Sequence, residues 1–558
     1  MPNDTGTLNL QGRFLFVHSS IADRGARSTR GDAIAHRPHH SHVAISTWIG
    51  FAMMCVGMFM AILDVQVVAT SLPTIQRALN IAQDQMSWVQ TAYLIAEVIA
   101  IPLTGFLTRV FTMRWLFVVA VSAFTLSSIA CALSGSFATL ILWRSVQGFS
   151  GGTLIPAVFS AVFLLFPFRL QSIATTIAGV IAVLAPTTGP VVGGWLTETY
   201  SWHWLFLINV APGIVAAIIA CTSLPKEKPD FVEARHLDIP SLALMACSLA
   251  ALEIAIKEAP ERGWTSLLVD GLLVGSIAGG AIFTWRMLRA AHPLLDVRTL
   301  RDRNFALGCA LSFILGIGVY GSVYLMPVFL SYVRGHGALE VGVIILVTGV
   351  VQFVAAPIAV AVEERFDERY VTAAGLLLFG IGLALSCIQT TATDYDEMFW
   401  PQIVRGAAVM FCILPVTRLA LGHLPKLDIP DASGLFNLTR NLGGAIGIAL
   451  IDTIVYTRAP THAQDLAGRV TAGDLEALKI LGLAPDKVEP TLSGPVGQAM
   501  VAKLIDKVAF VEAINDAWAM VALVTLAALV LVPLARTPLW RMIVTIRRGR
   551  VFVRHERD

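Results

Sequence analysis

Charge is what this sequence has least of. Asp, Glu, Lys and Arg make up only 14% of the 558 residues, and the formal net charge is +2. A soluble chain of this length carries about 25% charged residues to cover its surface, so an ordinary soluble enzyme is excluded. A balance so near neutrality gives a nucleic-acid role no electrostatic support. The seven cysteines form no CxxC pair and all fall in apolar blocks, which reads as packing, not as disulfides or ligands. No HExxH, GxSxG, phosphate-binding loop or metal-spaced His/Cys set is present, so neither a membrane enzyme nor an ATP-driven pump is expected, and no cofactor or metal is implied. Residues 1–45 lack the order of a signal peptide. They are polar, with five Arg and the His36, His39, His40 and His42 group, and read as a cytoplasmic tail.

What is abundant is apolar sequence, 56% of the chain, arranged in long blocks between short polar turns. Blocks of that length cross a bilayer core of roughly 30 Å as helices. They are too long and too unalternating for strands of an outer-membrane barrel. The expectation is an all-α polytopic protein with spans near 48–72, 88–110, 114–134, 138–166, 172–197, 203–224, 239–257, 267–288, 304–331, 339–362, 370–389, 397–422, 433–456 and 514–535. Basic residues then concentrate on one side. Arg109 and Arg114, Arg169, Lys226, Lys228 and Arg235, Arg286 to Arg303, Arg365 and Arg369, Arg418 and Lys426, and the Arg-rich tail share that side, against Arg77, Lys257, Arg262 and Arg334 on the other. The positive-inside rule places both termini in the cytoplasm. Segment 457–513, the one sizeable polar piece between spans, then lies outside. Its second half, from Val496 to Ile514, has apolar residues at helical spacing and is read as lying on the membrane surface, covering the transport path, or simply connecting two spans.

A faint repeat joins the two ends of the chain. Pro102 lies twelve residues before Arg114 and Pro357 twelve before Arg369; Arg144 in span four corresponds to Arg405 in span twelve. Two six-span bundles with two inserted spans produce this pattern: a tail at 1–45, a bundle at 46–224, inserted spans with their loops at 225–303, a second bundle at 304–535, and a basic tail at 536–558. Repeats of this kind mark secondary transporters, with substrate held between the halves.

Ionisable groups inside spans are costly and are read as functional. The candidates are Asp64, Glu97, Arg144, Arg405, Arg440 and Asp452. At ~1.5 Å per residue, Asp64, Glu97 and Arg144 lie ~12, ~14 and ~9 Å from the outer ends of their spans, one layer in which two acids and a base share a proton. The competing reading is a static ion pair that fixes helix register. For Asp452, near a span end, the alternative to a functional role is that it simply reaches water, and for Arg440, near the cytoplasmic end, that it snorkels. The run Pro186, Gly189, Pro190, Gly193 and Gly194 in span five suits a hinge or a tight seam between the halves. Gly148, Gly151 and Gly152, and Gly443, Gly444 and Gly447, read the same way, with close packing as the alternative. Trp88, Tyr93, Tyr320, Tyr324 and Phe353 are candidates for a cavity lining or for packing.

Several of these stretches together resemble the major facilitator superfamily, and within it the fourteen-span drug:proton antiporter branch, the EmrB/QacA family. Leu63-Asp64 through Leu72-Pro73 is similar to Leu-Asp-x-Thr-x-Val-x-x-Ala-Leu-Pro; Arg144, Gln147 and Gly148 match Arg-x-x-Gln-Gly; Gly189-Pro190-x-x-Gly193-Gly194 matches the antiporter motif. Trp202-His203-Trp204 with Phe206, Ile208, Asn209 and Pro212, and Asn437, Arg440, Asn441 and Gly444, resemble two further family stretches. The resemblance covers residues 46–540. It implies that Asp64 and Arg144 take part in proton coupling and that Gly189 and Pro190 shape the span-five seam. The chain departs from the family at Gly105-Phe106-Leu107-Thr108-Arg109, where Arg109 replaces the motif's acid, and at Thr112, which replaces a glycine. That puts the usual cytoplasmic charge relay in question. His203 stands for the usual Arg.

The expected function is proton-driven export of small amphipathic or toxic compounds across the inner membrane. The alternative is export of one natural compound, such as a siderophore or antibiotic; outside that class lie channels and membrane enzymes. Expected partners are the small-molecule substrate, protons and the lipid bilayer. A periplasmic adaptor protein joins them in a host with an outer membrane, as relatives in the family suggest.

Overall fold

The computed structural model describes residues 43–80, 88–229, 237–291, 293–483 and 495–535. The histidine group of the first tail, Arg235, and the basic tail from Arg536 lie outside the described residues. All regular structure among the described residues is helical. The helices are α1 (Ile45–Leu79), α2 (Trp88–Ala132), α3 (Phe137–Leu165), α4 (Phe168–Thr199), the short α5 (Trp204–Leu207), α6 (Val210–Ser223), α7 (Ile239–Arg262), α8 (Leu267–Arg289), α9 (Arg303–Phe329), α10 (Ala338–Arg365), α11 (Glu368–Ala384), α12 (Tyr395–Leu421), α13 (Ile429–Thr471), α14 (Leu475–Ile480) and α15 (Pro495–Ala527).

Thirteen helical segments among the described residues are long and apolar enough to cross a membrane. One of them, α2, has 45 residues. Straight, it would reach ~68 Å, about twice the bilayer core. It breaks at Thr112, whose φ of 69° and ψ of 157° are not helical. Two spans therefore arise from α2, giving the fourteen expected from the apolar blocks. The break falls between Arg109 and Arg114, where a charged turn meets water.

Helices α1 to α4 and α6 pack as one bundle; α9 to α13 and α15 pack as a second. The bundles meet along α2 and α13 and along α4 and α10. The inserted pair, α7 and α8, packs mainly on itself, and α7 also reaches α2 and α13. Trp264, just past α7, donates its indole N–H to Thr453 Oγ1 of α13 at 2.9 Å. Helix α8 exposes Leu267, Val274, Ile277, Ile282 and Trp285, as expected of a helix against lipid. Of the cysteines, four are buried, but Cys247 on α7 is exposed.

Among its described residues, polar segment 457–513 is helical, in keeping with the apolar spacing from Val496 to Ile514, and it packs on itself. Helix α13 has 43 residues, ~65 Å, so it runs well past one bilayer thickness. Leu466, Val470, Ala477, Leu478, Leu481, Val501, Ile505 and Val508 bury one another. The end of α13, α14 and the start of α15 thus form a helical stalk with its own apolar core. Residues 484–494 are outside the described set.

Candidate functional site

Asp64, on α1, is 1% exposed and Arg144, on α3, is 0% exposed. They form a buried salt bridge. The carboxylate also accepts from Gln147 Nε2 and from Asn209 Nδ2, each at 2.9 Å. Gln147 donates a second hydrogen bond to Ser128 Oγ at 2.8 Å. Arg144 donates from Nε to the Val89 carbonyl at 3.1 Å and lies over the Tyr93 ring at 4.4 Å. Tyr93 is itself fixed by donating to the Ala61 carbonyl at 3.0 Å. Charge buried in a low-dielectric region is tolerable only with partners of this number and geometry. Gly148, Gly151 and Gly152 let α3 approach α2 closely, since a Cβ at any of them would strike Tyr93 or Glu97.

Glu97 lies within electrostatic reach of this pair but forms no salt bridge with Arg144. Glu97 lines a cavity of 340 Å³ between the bundles. Gln66, Glu253, Tyr320, Tyr324, Asn441 and Asp452 share that lining. Tyr324 donates to Asp452 Oδ1 at 2.7 Å, and Tyr320 to Asn441 Oδ1 at 3.1 Å. Asp452 therefore faces the cavity, not merely water beyond a span end. Of the aromatic candidates, Tyr320 and Tyr324 line the cavity, Tyr93 packs beneath Arg144, and Phe353 is 69% exposed on α10.

Arg440 does not snorkel. It lies between Phe159 of the first bundle and Phe436 of the second, at 5.4 and 5.0 Å, and donates to Ser312 Oγ at 3.3 Å. Helix α13 begins at Ile429, so Arg440 sits ~16 Å along it, too deep for the arginine-rich surface. Arg405 is 2% exposed and lies 5.0 Å over the Trp518 ring, but no acid among the described residues pairs with it. Its sequence counterpart Arg144 has Asp64; Arg405 meets Met326 and Ser386 instead.

The Pro/Gly run forms no hinge in this conformation. Helix α4 is continuous through Pro186 and Pro190. A Cβ at Gly189 would collide with Gln66 of α1, so its tight approach lies within the first bundle, not between the halves. Farther along α4, Val191 packs against Gly342 of α10, one of several contacts that α4 makes with the second bundle. Gly193 accepts from Thr197 Oγ1 at 2.6 Å; Gly194 stays within the same helix. His203 stacks on Trp202 at 4.0 Å.

The departing loop motif has a partner that the sequence reading missed. Arg109 Nη1 donates to Asp431 Oδ2, on the first turn of α13, at 2.5 Å. Gly105, one turn earlier on the same face, leaves room for Asp431. A second cluster closes the same end: Ser172 donates to Glu363 at 2.5 Å, and Arg418 lies 3.4 Å from Glu363 and 3.7 Å from Glu368. Both clusters join the bundles at the arginine-rich end. The 340 Å³ cavity instead reaches Lys257 and Pro260, near the stalk-side end of α7.

Two helical bundles with a cavity between them are the arrangement of a secondary transporter. The chain belongs to the Major Facilitator Superfamily, whose profile matches residues 54–448. It is 38% identical to the "Colistin resistance protein EmrB" of Acinetobacter baumannii over 77% of this chain and 84% of that protein. It is 29% identical to the "Multidrug export protein EmrB" of Escherichia coli, over 74% and 81%. Among solved structures it is similar in fold to the human organic anion transporter MFSD10, with a TM-score of 0.55 and 15% identity over 87% of this chain and 99% of that one. These relatives place it in the drug:proton antiporter branch.

Proposed function

We propose that this chain exports amphipathic toxic compounds from the cytoplasm in exchange for protons, by alternating access across the inner membrane, with both termini cytoplasmic. The observation that carries this reading is the Asp64–Arg144 pair, fully buried beside the inter-bundle cavity and held by Gln147 and Asn209. Ionised Asp64 holds Arg144. A proton on Asp64 cancels the ion pair and frees the guanidinium, which loosens the α1–α3 contact. Loss of that proton on the other side restores it. The names of the relatives, one for multidrug export and one for colistin resistance, support a broad substrate range.

Asp64→Asn tests it, because the amide keeps the shape and removes the titratable group. Reconstituted vesicles with an imposed pH gradient are expected to lose uphill substrate movement, while substrate binding persists. Uphill movement at the wild-type rate would exclude Asp64 as the coupling acid.

The stalk is proposed to face the periplasm and to dock an adaptor protein. A cysteine at Asp474 is expected to react with an impermeant thiol reagent in intact spheroplasts. Protection there would reverse the topology. Deleting residues 475–490 is expected to weaken adaptor capture and leave vesicle transport intact; equal capture leaves the stalk a connector.

A further inference from the structure

The inserted helices belong to neither bundle, and a spacer needs no acid in its membrane-facing length. Yet α7 carries Glu253, 8% exposed, in the apolar run Ala251-Leu252-Glu253-Ile254-Ala255. Its Oε2 atom is buried with no hydrogen-bond partner. Neither α8 nor either bundle supplies a counter-ion among the described residues. A buried carboxylate left this way is unfavourable unless something else meets it.

Glu253 faces the 340 Å³ cavity. Across from it stand Glu97, 5% exposed, and Asp452. Lys257 is the base on the cavity lining among the described residues; its ammonium is 3.2 Å from Glu258, a carboxylate it shares with Arg262 at 2.6 Å, and 4.9 Å from the Trp88 ring, and it forms no salt bridge with Glu253. Three carboxylates thus face a largely apolar space with two tyrosine rings at its edge. Helix α7 is held in this position against the second bundle by the Trp264–Thr453 hydrogen bond.

We propose that the inserted helix α7 is a wall of the substrate cavity, and that Glu253, opposite Glu97, makes the cavity a site for lipophilic cations. A cation with a large apolar body loses little hydration on entry, buries that body against Ile62, Val65 and Ile256, and supplies the charge that Glu253 lacks. The tyrosine rings add a cation–π face. The proposal rests on the export reading and names the substrate class for it.

The test uses purified full-length protein in vesicles with a pH gradient, and two probes: tetraphenylphosphonium, a lipophilic cation, and Nile red, an uncharged hydrophobic dye. Wild-type protein is expected to move both. Glu253→Gln is expected to raise KM for tetraphenylphosphonium about tenfold, the loss of one charge interaction, and to leave Nile red unchanged. Glu253→Asp is expected to fall between. Should Glu253→Gln fail to fold by its melting curve, Glu253→Met, uncharged and of similar length, takes its place, with the same split between the probes expected. An unchanged tetraphenylphosphonium KM in either folded variant makes Glu253 a packing residue and overturns the proposal. Nile red transport without tetraphenylphosphonium transport by wild type overturns the cation site and leaves the export reading standing. Transport of neither overturns both.

Discussion

Two buried arginines at matching places in the repeat have unlike surroundings. Arg144 meets a carboxylate, a carboxamide, a carbonyl and a ring. Arg405 meets a thioether, a distant hydroxyl and a ring. Removing one member of a buried pair strands the other, at a cost of about 3–5 kcal/mol. Removing an unpaired buried charge strands nothing. Arg144→Leu is therefore expected to lower the melting temperature sharply by leaving Asp64 alone, whereas Arg405→Leu is expected to leave it unchanged or raised. The measurement is the melting curve of each detergent-purified variant. Equal losses would mean that Arg405 has an energetic partner comparable to Asp64. The same contrast explains why a depth argument grouped Glu97 with Asp64 and Arg144. Depth along a helix is legible from residue count, but rotation about its axis is not. Glu97 turns to the cavity while the other two turn to each other.

At the scale of the element, the spans were legible and their ends were not. Fourteen apolar blocks became fourteen spans because bilayer thickness fixes length. The polar stretch 457–513 was not legible as a stalk, since apolar residues at helical spacing fit a helix packed on another helix as well as one on a membrane. Glu253 stands in the apolar run of span seven, but the sequence shows that span only as inserted between the bundles and gives no sign that it borders a cavity. Asp431 falls just before the span that hydropathy places at 433–456, because α13 begins four residues earlier, at Ile429. Thr112 is the element-scale residue with the clearest consequence. Its φ of 69° with ψ of 157° falls in a region that is essentially glycine's own, and its buried hydroxyl has no hydrogen-bond partner. Such a conformation costs about 1–3 kcal/mol for another residue. Thr112→Gly, which restores the family's residue, is expected to raise the melting temperature, with the gain reduced by glycine's greater freedom in the unfolded chain. An unchanged or lowered value would show that the turn is not strained there.

For the whole molecule, two charged clusters join the bundles at the arginine-rich end, and the cavity lined by Glu97 and Glu253 lies toward the stalk. The sequence departure at Arg109 acquires a physical meaning in that arrangement. The motif's acid is absent, but an acid is present across the interface, so the charges of the contact are Arg on the first bundle and Asp on the second. Asp431 also suits the first turn of α13, where negative charge meets the helix dipole favourably. Arg109→Asp sets two acids against each other and is expected to open the arginine-rich end. Asp431→Arg does the same with two bases. The double variant Arg109→Asp with Asp431→Arg restores opposite charge, although it loses the helix-dipole benefit. Accessibility of a cysteine at Ser433, buried near this interface, to a thiol reagent from the arginine-rich side reports the opening. Each single variant is expected to label faster, and the double variant to return most of the way to the parent cysteine protein. The coupling energy from this cycle is expected at about 1–3 kcal/mol, in the range of contacting residues. Additive effects of the two changes would mean that Arg109 and Asp431 act independently, leaving the Ser172–Glu363–Arg418 cluster as the contact that holds this end closed.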